Sequence, residues 1–222
     1  MNYVTKIEYG LWRAGLMRAL SLAAVEAVPV CETHEPMINI RHEELFRCGS
    51  DLWLRDQVWL RGSVYYKLRN VAERLPSGMY LKIYAAYRSA EEQKLSWQRV
   101  FNAYQIQFPQ SSDEKIYQKI KKIEIDPDKS YSSYQTGAAV DVTLCNEYGQ
   151  DIDMGGIPHE YPVKAFKTLT PEQKSNRKLL RCLMQAENFV CCSEKWWHYS
   201  CGERFWAVCS KNSCAYYGVA EL

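Results

Sequence analysis

The pattern of apolar and polar positions along the chain predicts both helices and strands. A helical pattern covers residues 11–25, 57–75, 90–108, 112–123 and 171–187. Apolar and β-branched runs typical of strands cover residues 79–87, 138–144, 189–192 and 196–200. This order of elements predicts an α+β fold, with a small, mainly antiparallel sheet flanked by helices.

Several predicted helices carry start or stop signals. A Pro-Ser-Gly sequence at residues 76–78 ends one helix, Pro109 ends the next, and Thr170 followed by Pro171 starts the last. No internal repeat and no Gly/Ser-rich linker divides the chain. We therefore expect a single domain.

The composition excludes several classes of partner. The chain has 222 residues, 47% hydrophobic and 24% charged, which is enough to form a core without disulfides. Lys and Arg number 28 and Asp and Glu 26, and the net charge of +2 gives no basic surface for nucleic acid or an anionic membrane. No run of about 18 apolar residues is present, so no membrane span is expected. Glu26 interrupts the best candidate for a secretion leader, residues 19–30, and a cytoplasmic location is expected.

The chain has nine cysteines, and six of them lie in the last fifth of the sequence. Because nine is odd, at least one is outside any intrachain disulfide, and no C-x-x-C pair typical of a zinc ribbon occurs. We expect reduced, mostly buried thiols. A C-terminal disulfide or metal cluster stays open as the alternative.

The first candidate for chemistry is the sequence Y-A-A-Y-R-S, at the end of the predicted strand over residues 79–87. Arg88 in this sequence has the planar fork of donors that holds a carboxylate through two parallel hydrogen bonds. The alternative is a surface arginine that pairs weakly with Glu91 or Glu92.

Two further stretches place a carboxylate and a histidine among apolar residues. In S-S-Y-Q-T-G-A-A-V-D, Asp141 lies in a predicted strand, where its carboxylate needs a cation or several hydrogen-bond donors. In S-E-K-W-W-H-Y, His198 follows two tryptophans. Each has a structural alternative, an aspartate bound by backbone amides and a hydrogen-bonded core histidine.

Together, and in this order, the three stretches resemble those of the D-alanyl-D-alanine dipeptidases. These are zinc enzymes of the LAS-type metallopeptidases, associated with vancomycin resistance and peptidoglycan turnover. The family pattern is a Tyr-Arg after a strand, then S-x-H-x-x-G-x-A-x-D, then E-W-W-H. Similar segments here are E-P-M-I-N-I, A-E-R-L, D-M-G-G and N-R-K-L-L-R.

The resemblance covers about residues 35–205 and implies a domain organisation. It implies a dipeptidase-like domain over residues 35–205, with an N-terminal helical extension (residues 1–34) and a Cys/Tyr-rich C-terminal tail (residues 206–222) packed on it.

The resemblance also implies roles for individual residues. In the family, zinc is bound by the His and Asp of the second motif and the His of the third; the Glu of the third motif is the general base, and the Arg stabilises the oxyanion. Carried over, this implies metal ligands at Asp141 and His198. It also implies substrate contacts at Arg88, Ser132 and Trp197.

Two critical positions depart from the family pattern. Tyr134 stands at the first zinc His and Lys195 at the catalytic Glu; Ala85 also replaces an Asp before the Tyr-Arg pair. A neutral phenol is a poor zinc ligand because its pKa is about 10. At about 4 Å and an effective dielectric constant of about 20, a Lys ammonium repels Zn²⁺ by about 8 kcal/mol before relaxation. We therefore expect a persistent pocket without zinc-water chemistry and without a resident cofactor.

Three hypotheses follow, and they leave open whether the protein is an enzyme. The first is a dipeptidase-like protein that binds a small peptide or amino-acid-like carboxylate at Arg88, or acts on it without metal through Tyr134 and Lys195 as an acid–base or nucleophilic pair. The second is a zinc dipeptidase in which His159, a cysteine or Tyr134 is the third ligand and Glu194 replaces the base. The third is a non-catalytic interaction module, in which the side chains of Tyr134 and Lys195 fill the pocket.

Overall fold

The computed structural model describes residues 22–53, 55–121, 124–160, 164–192 and 195–222. Its helices are α1 (Leu22–Glu26), α2 (Ser50–Trp53), α3 (Gly62–Glu73), α4 (Ala90–Gln107), α5 (Asp113–Ile120), α6 (Pro171–Ala186) and α7 (Arg204–Cys209), with 3₁₀ turns at Ser133–Thr136 and Phe166–Thr168. Its strands are β1 (Met37–Asn39), β2 (Phe46–Cys48), β3 (Trp59–Arg61), β4 (Met79–Ala85), β5 (Ala139–Asn146), β6 (Val190–Cys191) and β7 (His198–Ser200).

Five of these strands form one sheet in the order β2-β4-β5-β7-β6, and β1 pairs with β3 in a separate ribbon. In the sheet, β2 and β4 run parallel, and the other neighbouring pairs are antiparallel. The predicted α+β domain with a small, mainly antiparallel sheet is confirmed.

The central strand, β5, is buried on both of its faces. Its residues are buried from Ala139 to Cys145, although side chains alternate between the two faces of a strand. Val140 and Val142 belong to the hydrophobic core together with Leu81 of β4. An ionisable group on this strand therefore lies in the interior, where it needs hydrogen-bond partners.

The β1–β3 ribbon anchors the segment that precedes β5. The side chain and the amide of Arg61, the last residue of β3, both contact this segment. The amide donates to the carbonyl of Gly137 and Nε donates to the carbonyl of Thr136, each at 2.9 Å. Nη1 of Arg61 donates to the carbonyl of Glu35 at 2.8 Å. The E-P-M-I-N-I segment and the second motif are thus held together by one buried guanidinium.

A second arginine, Arg177 of α6, has the same function for the last motif. Its Nε donates to the carbonyl of Met154 at 2.7 Å, and its guanidinium lies 4.9 Å from the centroid of the Trp196 ring. The D-M-G-G and N-R-K-L-L-R segments, far apart in the sequence, therefore meet beside the third motif.

Two predicted element boundaries are wrong. Residues 57–75 are not one helix, because Trp59–Arg61 pairs with Met37–Asn39 as a strand and the helix begins at Gly62. Residues 196–200 are not all strand, because the amide of His198 donates to the carbonyl of Lys195 at 2.9 Å and closes a turn over the two tryptophans. The predicted helix over residues 11–25 lies outside the described residues except for residues 22–25, which belong to α1.

The segments before residue 35 and after residue 205 pair with each other. Val30 forms a parallel bridge with Ala215, and the amide of Cys31 donates to the carbonyl of Ala215 at 2.7 Å. Further along, the amide of Ala220 donates to the carbonyl of Gln135 at 2.8 Å. The chain after α7 is therefore attached directly to the 3₁₀ turn of the second motif.

Two further predictions concern a membrane-spanning helix and disulfide bonds. Within the described ranges, no helix is both long enough and apolar enough to cross a membrane. All nine cysteines lie in those ranges, and none of them forms a disulfide bond.

Candidate functional site

The carboxylate of Asp141, on the central strand, is the centre of a buried cluster of polar side chains. Asp141 is 1% exposed. Its Oδ2 accepts a hydrogen bond from the hydroxyl of Tyr134 at 2.7 Å and lies 2.6 Å from Nε2 of His159. Its Oδ1 lies 2.8 Å from Nδ1 of His198, which is itself 3.1 Å from the Tyr134 hydroxyl. We call these four residues the Asp141 cluster.

The register of the sheet places two members of the cluster side by side. Asp141 pairs with Ala85 on β4 and with His198 on β7, so the ends of three strands meet at one level. A bulge follows Ile83 in β4 just before this level. Asp141 and His198, the two metal ligands implied by the resemblance, are therefore neighbours in the structure.

Tyr134 reaches the cluster from the 3₁₀ turn Ser133–Thr136. A capping box fixes the turn, since the amide of Ser132 donates to the side chain of Gln135 at 2.9 Å. Gly137 ends the turn in the left-handed conformation, with φ of +70°. The backbone then enters β5 directly, and this geometry carries the Tyr134 hydroxyl to Asp141.

His159 is a cluster member that the sequence identified only as an alternative zinc ligand. It has a positive φ of 69°, and its ring meets the rings of Tyr84 and Trp197 edge-on, each at a centroid distance of 6.2 Å. The signal for it was its position shortly after the D-M-G-G segment. No period or spacing relates His159 to Asp141, because the contact depends on a loop.

The electrostatics of the cluster favour an ionised Asp141 and a neutral Tyr134. Burial raises the pKa of Asp141, but the hydrogen bonds from His159 and His198 outweigh it and leave the pKa far below its ordinary value. Burial is also the main reason that the pKa of Tyr134 lies well above its ordinary value, and the charge of Asp141 adds to it. An ionised carboxylate accepts hydrogen bonds, so both histidines are assigned as N–H donors towards it.

Arg88 lies next to the cluster and is held in place by three contacts. Its guanidinium lies 4.4 Å from the centroid of the Tyr134 ring. Its Nη1 lies 3.2 Å from the hydroxyl of Ser96 and 3.5 Å from Oε1 of Glu124. The alternative of a surface pair with Glu91 or Glu92 is therefore wrong, because the carboxylate paired with Arg88 comes from beyond α5.

A cavity of about 180 Å³ opens beside Arg88. Its wall is formed by the end of β4 and the residues after it, by one face of α4, and by the loop that follows α2. The polar members of this wall include Arg55, Arg88, Glu92, Ser96 and Arg99.

The other predicted site residues lie near these groups in different surroundings. Ser132 is 4% exposed and its hydroxyl donates to Oε1 of Gln93 at 3.1 Å. Trp197 is 1% exposed and packs edge-on against Trp196. Lys195 is half-buried at the start of the turn before β7. Glu194, the alternative base, lies outside the described residues.

The donor set of the cluster does not fit zinc in the arrangement that the family resemblance implies. The phenol of Tyr134 is a poorer zinc ligand than the imidazole of the family pattern, and its hydroxyl contacts Asp141 and His198 in this structure. In the part of the chain that the structure describes, no group of three or more His, Cys, Asp and Glu side chains is arranged to hold a metal ion. Three groups contact the carboxylate of Asp141 and supply the partners that a buried charge needs.

The three sequence motifs imply an α+β domain that brings together an arginine after a strand, a buried aspartate and a histidine. The structure has this arrangement in Arg88, Asp141 and His198. The chain belongs to the D-ala-D-ala dipeptidase family, whose sequence profile matches residues 61–214.

Curated relatives support this assignment over most of the chain. A D-alanyl-D-alanine dipeptidase from Synechocystis sp. is 26% identical over 238 aligned positions, covering 88% of this chain and 96% of that protein. A D-alanyl-D-alanine dipeptidase from Escherichia coli is 29% identical over 133 positions, covering 55% of each protein. Among solved structures, a mutant of the vancomycin-resistance D,D-pentapeptidase VanY in complex with Zn(II) aligns with a TM-score of 0.46 and 15% identity, over 66% of this chain and 75% of that chain.

Proposed function

We propose that this protein is a D-Ala-D-Ala dipeptidase-like protein that has lost zinc-dependent hydrolysis. It binds a small peptide or amino-acid-like ligand through the ligand's carboxylate, or acts on such a ligand without metal. Arg88 holds the carboxylate. The Asp141 cluster takes the place of the metal centre.

The observation that carries the proposal is the hydrogen bond from Tyr134 to Asp141. The two oxygens are 2.7 Å apart and the tyrosine ring is 7% exposed, so the hydroxyl is a fixed part of the cluster. Moving it aside to admit a cation would leave a phenol in the interior without its partner, which costs about 1–3 kcal/mol. Lys195 at the position of the family's general base further disfavours the activation of water.

The position of Arg88 supports its role in ligand binding. One face of the guanidinium lies over the Tyr134 ring, and Glu124 and Ser96 fix its orientation at one terminal nitrogen. The guanidinium also borders the cavity, so a ligand carboxylate there can be held by donors that are already oriented. This open cavity counts against a pure interaction module with a filled pocket.

The proposal extends to the compartment. None of the nine cysteines forms a disulfide bond, which is the state expected of thiols in a reducing environment and supports a cytoplasmic location.

Metal content and ligand binding test the two halves of this proposal separately. The protein is purified without chelators, dialysed with zinc, and its metal content is measured by elemental mass spectrometry. We expect far less than one zinc per chain. One zinc per chain that is lost in His198→Ala overturns the proposal.

Calorimetric titration with D-alanyl-D-alanine then tests the carboxylate site. Binding to the wild type that is lost in Arg88→Ala supports it, and equal affinity of the two proteins overturns the role of Arg88. Lys94→Ala, an exposed substitution on α4 outside the cavity wall, serves as the control for loss of one positive charge.

One observation favours a second candidate, a zinc dipeptidase with substitute ligands. His159 lies 2.6 Å from Asp141, and it is the residue that the sequence offered as a replacement third ligand. This candidate predicts that His159→Ala abolishes both zinc binding and cleavage of D-alanyl-D-alanine. Under the first proposal, the wild type has neither activity to lose.

A further inference from the structure

The cavity beside Arg88 concentrates positive charge. Three arginines, Arg55, Arg88 and Arg99, border the same space of about 180 Å³, whereas Glu92 is the acidic residue among the lining side chains that the structure describes. Like charges that share a small cavity repel one another, and an anion that enters it relieves this repulsion.

Two of the three guanidinium groups are already paired with carboxylates. Nη1 of Arg55 lies 2.7 Å from Oε1 of Glu92, and Nη1 of Arg88 lies 3.5 Å from Oε1 of Glu124. Each of these carboxylates also accepts a hydrogen bond from another group. The amide of Ser89 donates to Glu92, and the side-chain amide of Gln93 donates to Glu124. The two carboxylates are therefore shared, and they compensate the arginines only in part.

Arg99 is the arginine of this wall whose charge is least compensated. It lies two turns along α4 from Glu92, on the same face of the helix, and is exposed to solvent. Within the described residues, no hydrogen bond or ion pair is formed by its side chain. An exposed arginine is ordinary by itself, but this one shares a cavity with the guanidinium group that borders the Asp141 cluster.

We propose that the natural ligand is acidic: beyond the carboxylate at Arg88, it carries a second anionic group that binds Arg99, with Arg55 beside it. The proposal rests on the proposed function for the first carboxylate and names the substrate class. A carboxylate and a phosphate both match the guanidinium fork, so the shared chemistry is that of an oxyanion. A dipeptide without a second anionic group would leave the charge of Arg99 uncompensated.

A pair of isosteric dipeptides tests the second group directly. D-alanyl-D-glutamate and D-alanyl-D-glutamine differ in one charge and hardly in shape. We expect the wild type to bind the glutamate peptide about tenfold more tightly in low salt, since a hydrogen bond to a charged group is worth roughly one decade in affinity. The preference is expected to shrink as salt is added, because Arg99 is exposed.

Two charge-matched variants decide whether the preference comes from the cavity. Arg99→Gln should reduce the preference to near unity, because the glutamate peptide loses its partner for the second anionic group. Lys94→Gln removes the same charge from the exposed surface of α4 and should keep the preference. Equal affinity of the wild type for the two peptides overturns the proposal, and so does an equal loss of preference in both variants.

Thermal unfolding with inorganic phosphate or glutarate separates this inference from the proposed function. If neither peptide binds but one anion stabilises the wild type and not Arg99→Gln, the anion site stands and the peptide ligand is wrong. A larger effect of phosphate than of glutarate assigns the second group as a phosphate. If neither peptides nor anions bind, the anion site is overturned, whatever the zinc content of the protein.

Discussion

The hydroxyl of Tyr134 donates a hydrogen bond to Oδ2 of Asp141 across a distance of 2.7 Å, at the position where the family resemblance implies a zinc-binding histidine. The same hydroxyl is 3.1 Å from Nδ1 of His198. At this position an imidazole would offer a lone pair, whereas the hydroxyl of Tyr134 donates to the carboxylate of Asp141. The network is closed by His159, which reaches the same oxygen as Tyr134.

Removing this hydroxyl is expected to destabilise the fold. Tyr134→Phe keeps the ring under Arg88 but leaves the buried Asp141 with one donor fewer. We expect a loss of about 1–3 kcal/mol in the free energy of unfolding, the cost of an unmade hydrogen bond to a buried charged group. Urea denaturation followed by tryptophan fluorescence measures this loss. Tyr148→Phe, at a tyrosine that is 80% exposed, should change stability little, and equal stabilities of the two variants would contradict the structural role of the hydroxyl.

The turn that presents Tyr134 depends on glycine at residue 137. Gly137 has a φ of +70°, and a Cβ atom added there would lie 2.5 Å from Cε of Met37. Gly149 has a similar φ of +76°, with nothing within 4 Å of the added atom. Gly137→Ala and Gly149→Ala should share the cost of the left-handed backbone, about 1–2 kcal/mol. Gly137→Ala should in addition weaken ligand binding at Arg88, because its backbone strain falls on the turn that holds the Tyr134 ring against the guanidinium, whereas the Met37 side chain can move aside.

Thermal unfolding and calorimetric titration of both variants check this expectation. The comparison isolates the position of the glycine from its backbone conformation, which the two glycines share. If Gly149→Ala loses as much ligand affinity as Gly137→Ala, the turn does not position the site.

Much of the fold could be predicted because its central strands are defined by local pattern. The predicted strands over residues 79–87 and 138–144 appear as β4 and β5 with their ends displaced by at most two residues. Continuous burial imposes apolar side chains on both faces of β5, and β4 is recognised by its run of β-branched, aromatic and aliphatic residues. The strand Trp59–Arg61 escaped prediction because its partner, Met37–Asn39, lies about twenty residues earlier. Strand pairing at such a distance leaves no period in the sequence.

The candidate site likewise contains residues that the sequence motifs identify and contacts that they do not. Asp141 and His198 stand in motifs whose order could be recognised, and the sheet register then makes them neighbours. The contact of His159 with Asp141 and that of Glu124 with Arg88 have no sequence signature, because each is made by a side chain from a separate loop. Lys195 was expected one residue before a strand, but the chain turns there and β7 begins only at His198.

The buried thiols predict how stability depends on pH above neutrality. Burial raises the pKa of Cys145 and that of Cys201 to about 11 from an ordinary value near 9. The unfolded chain ionises first as pH rises, so the stabilisation from the neutral thiols is complete below about pH 9 and is lost between about pH 9 and 11. Denaturation curves across this range should show falling stability, and Cys145→Ala should show a smaller fall than Cys182→Ala, whose thiol is exposed.

Reaction with a disulfide reagent at pH 8 gives an independent check of the same thiols. Cys182 is exposed on α6 and should react in the folded protein. Cys145 and Cys201 are buried and should react only after unfolding, because the thiolate is the reactive form and about one part in a thousand of each is ionised at this pH. Rapid labelling of Cys145 in the folded protein would contradict the burial of β5.

Restoring the two family residues should restore the metal site. In Tyr134→His with Lys195→Glu, an imidazole replaces the phenol beside Asp141 and a carboxylate replaces the ammonium. We expect zinc content to rise to about one per chain, since three nitrogen and oxygen ligands with one open position suffice for a zinc centre. Elemental mass spectrometry on the wild type, the two single variants and the double variant measures this.

The single Tyr134→His variant separates the ligand from the base, because it should gain zinc without gaining cleavage of D-alanyl-D-alanine. A double variant that stays free of zinc would show that the position of His159 against Asp141, rather than Tyr134, closes the site to metal, and adding His159→Ala to it would then be expected to open the site.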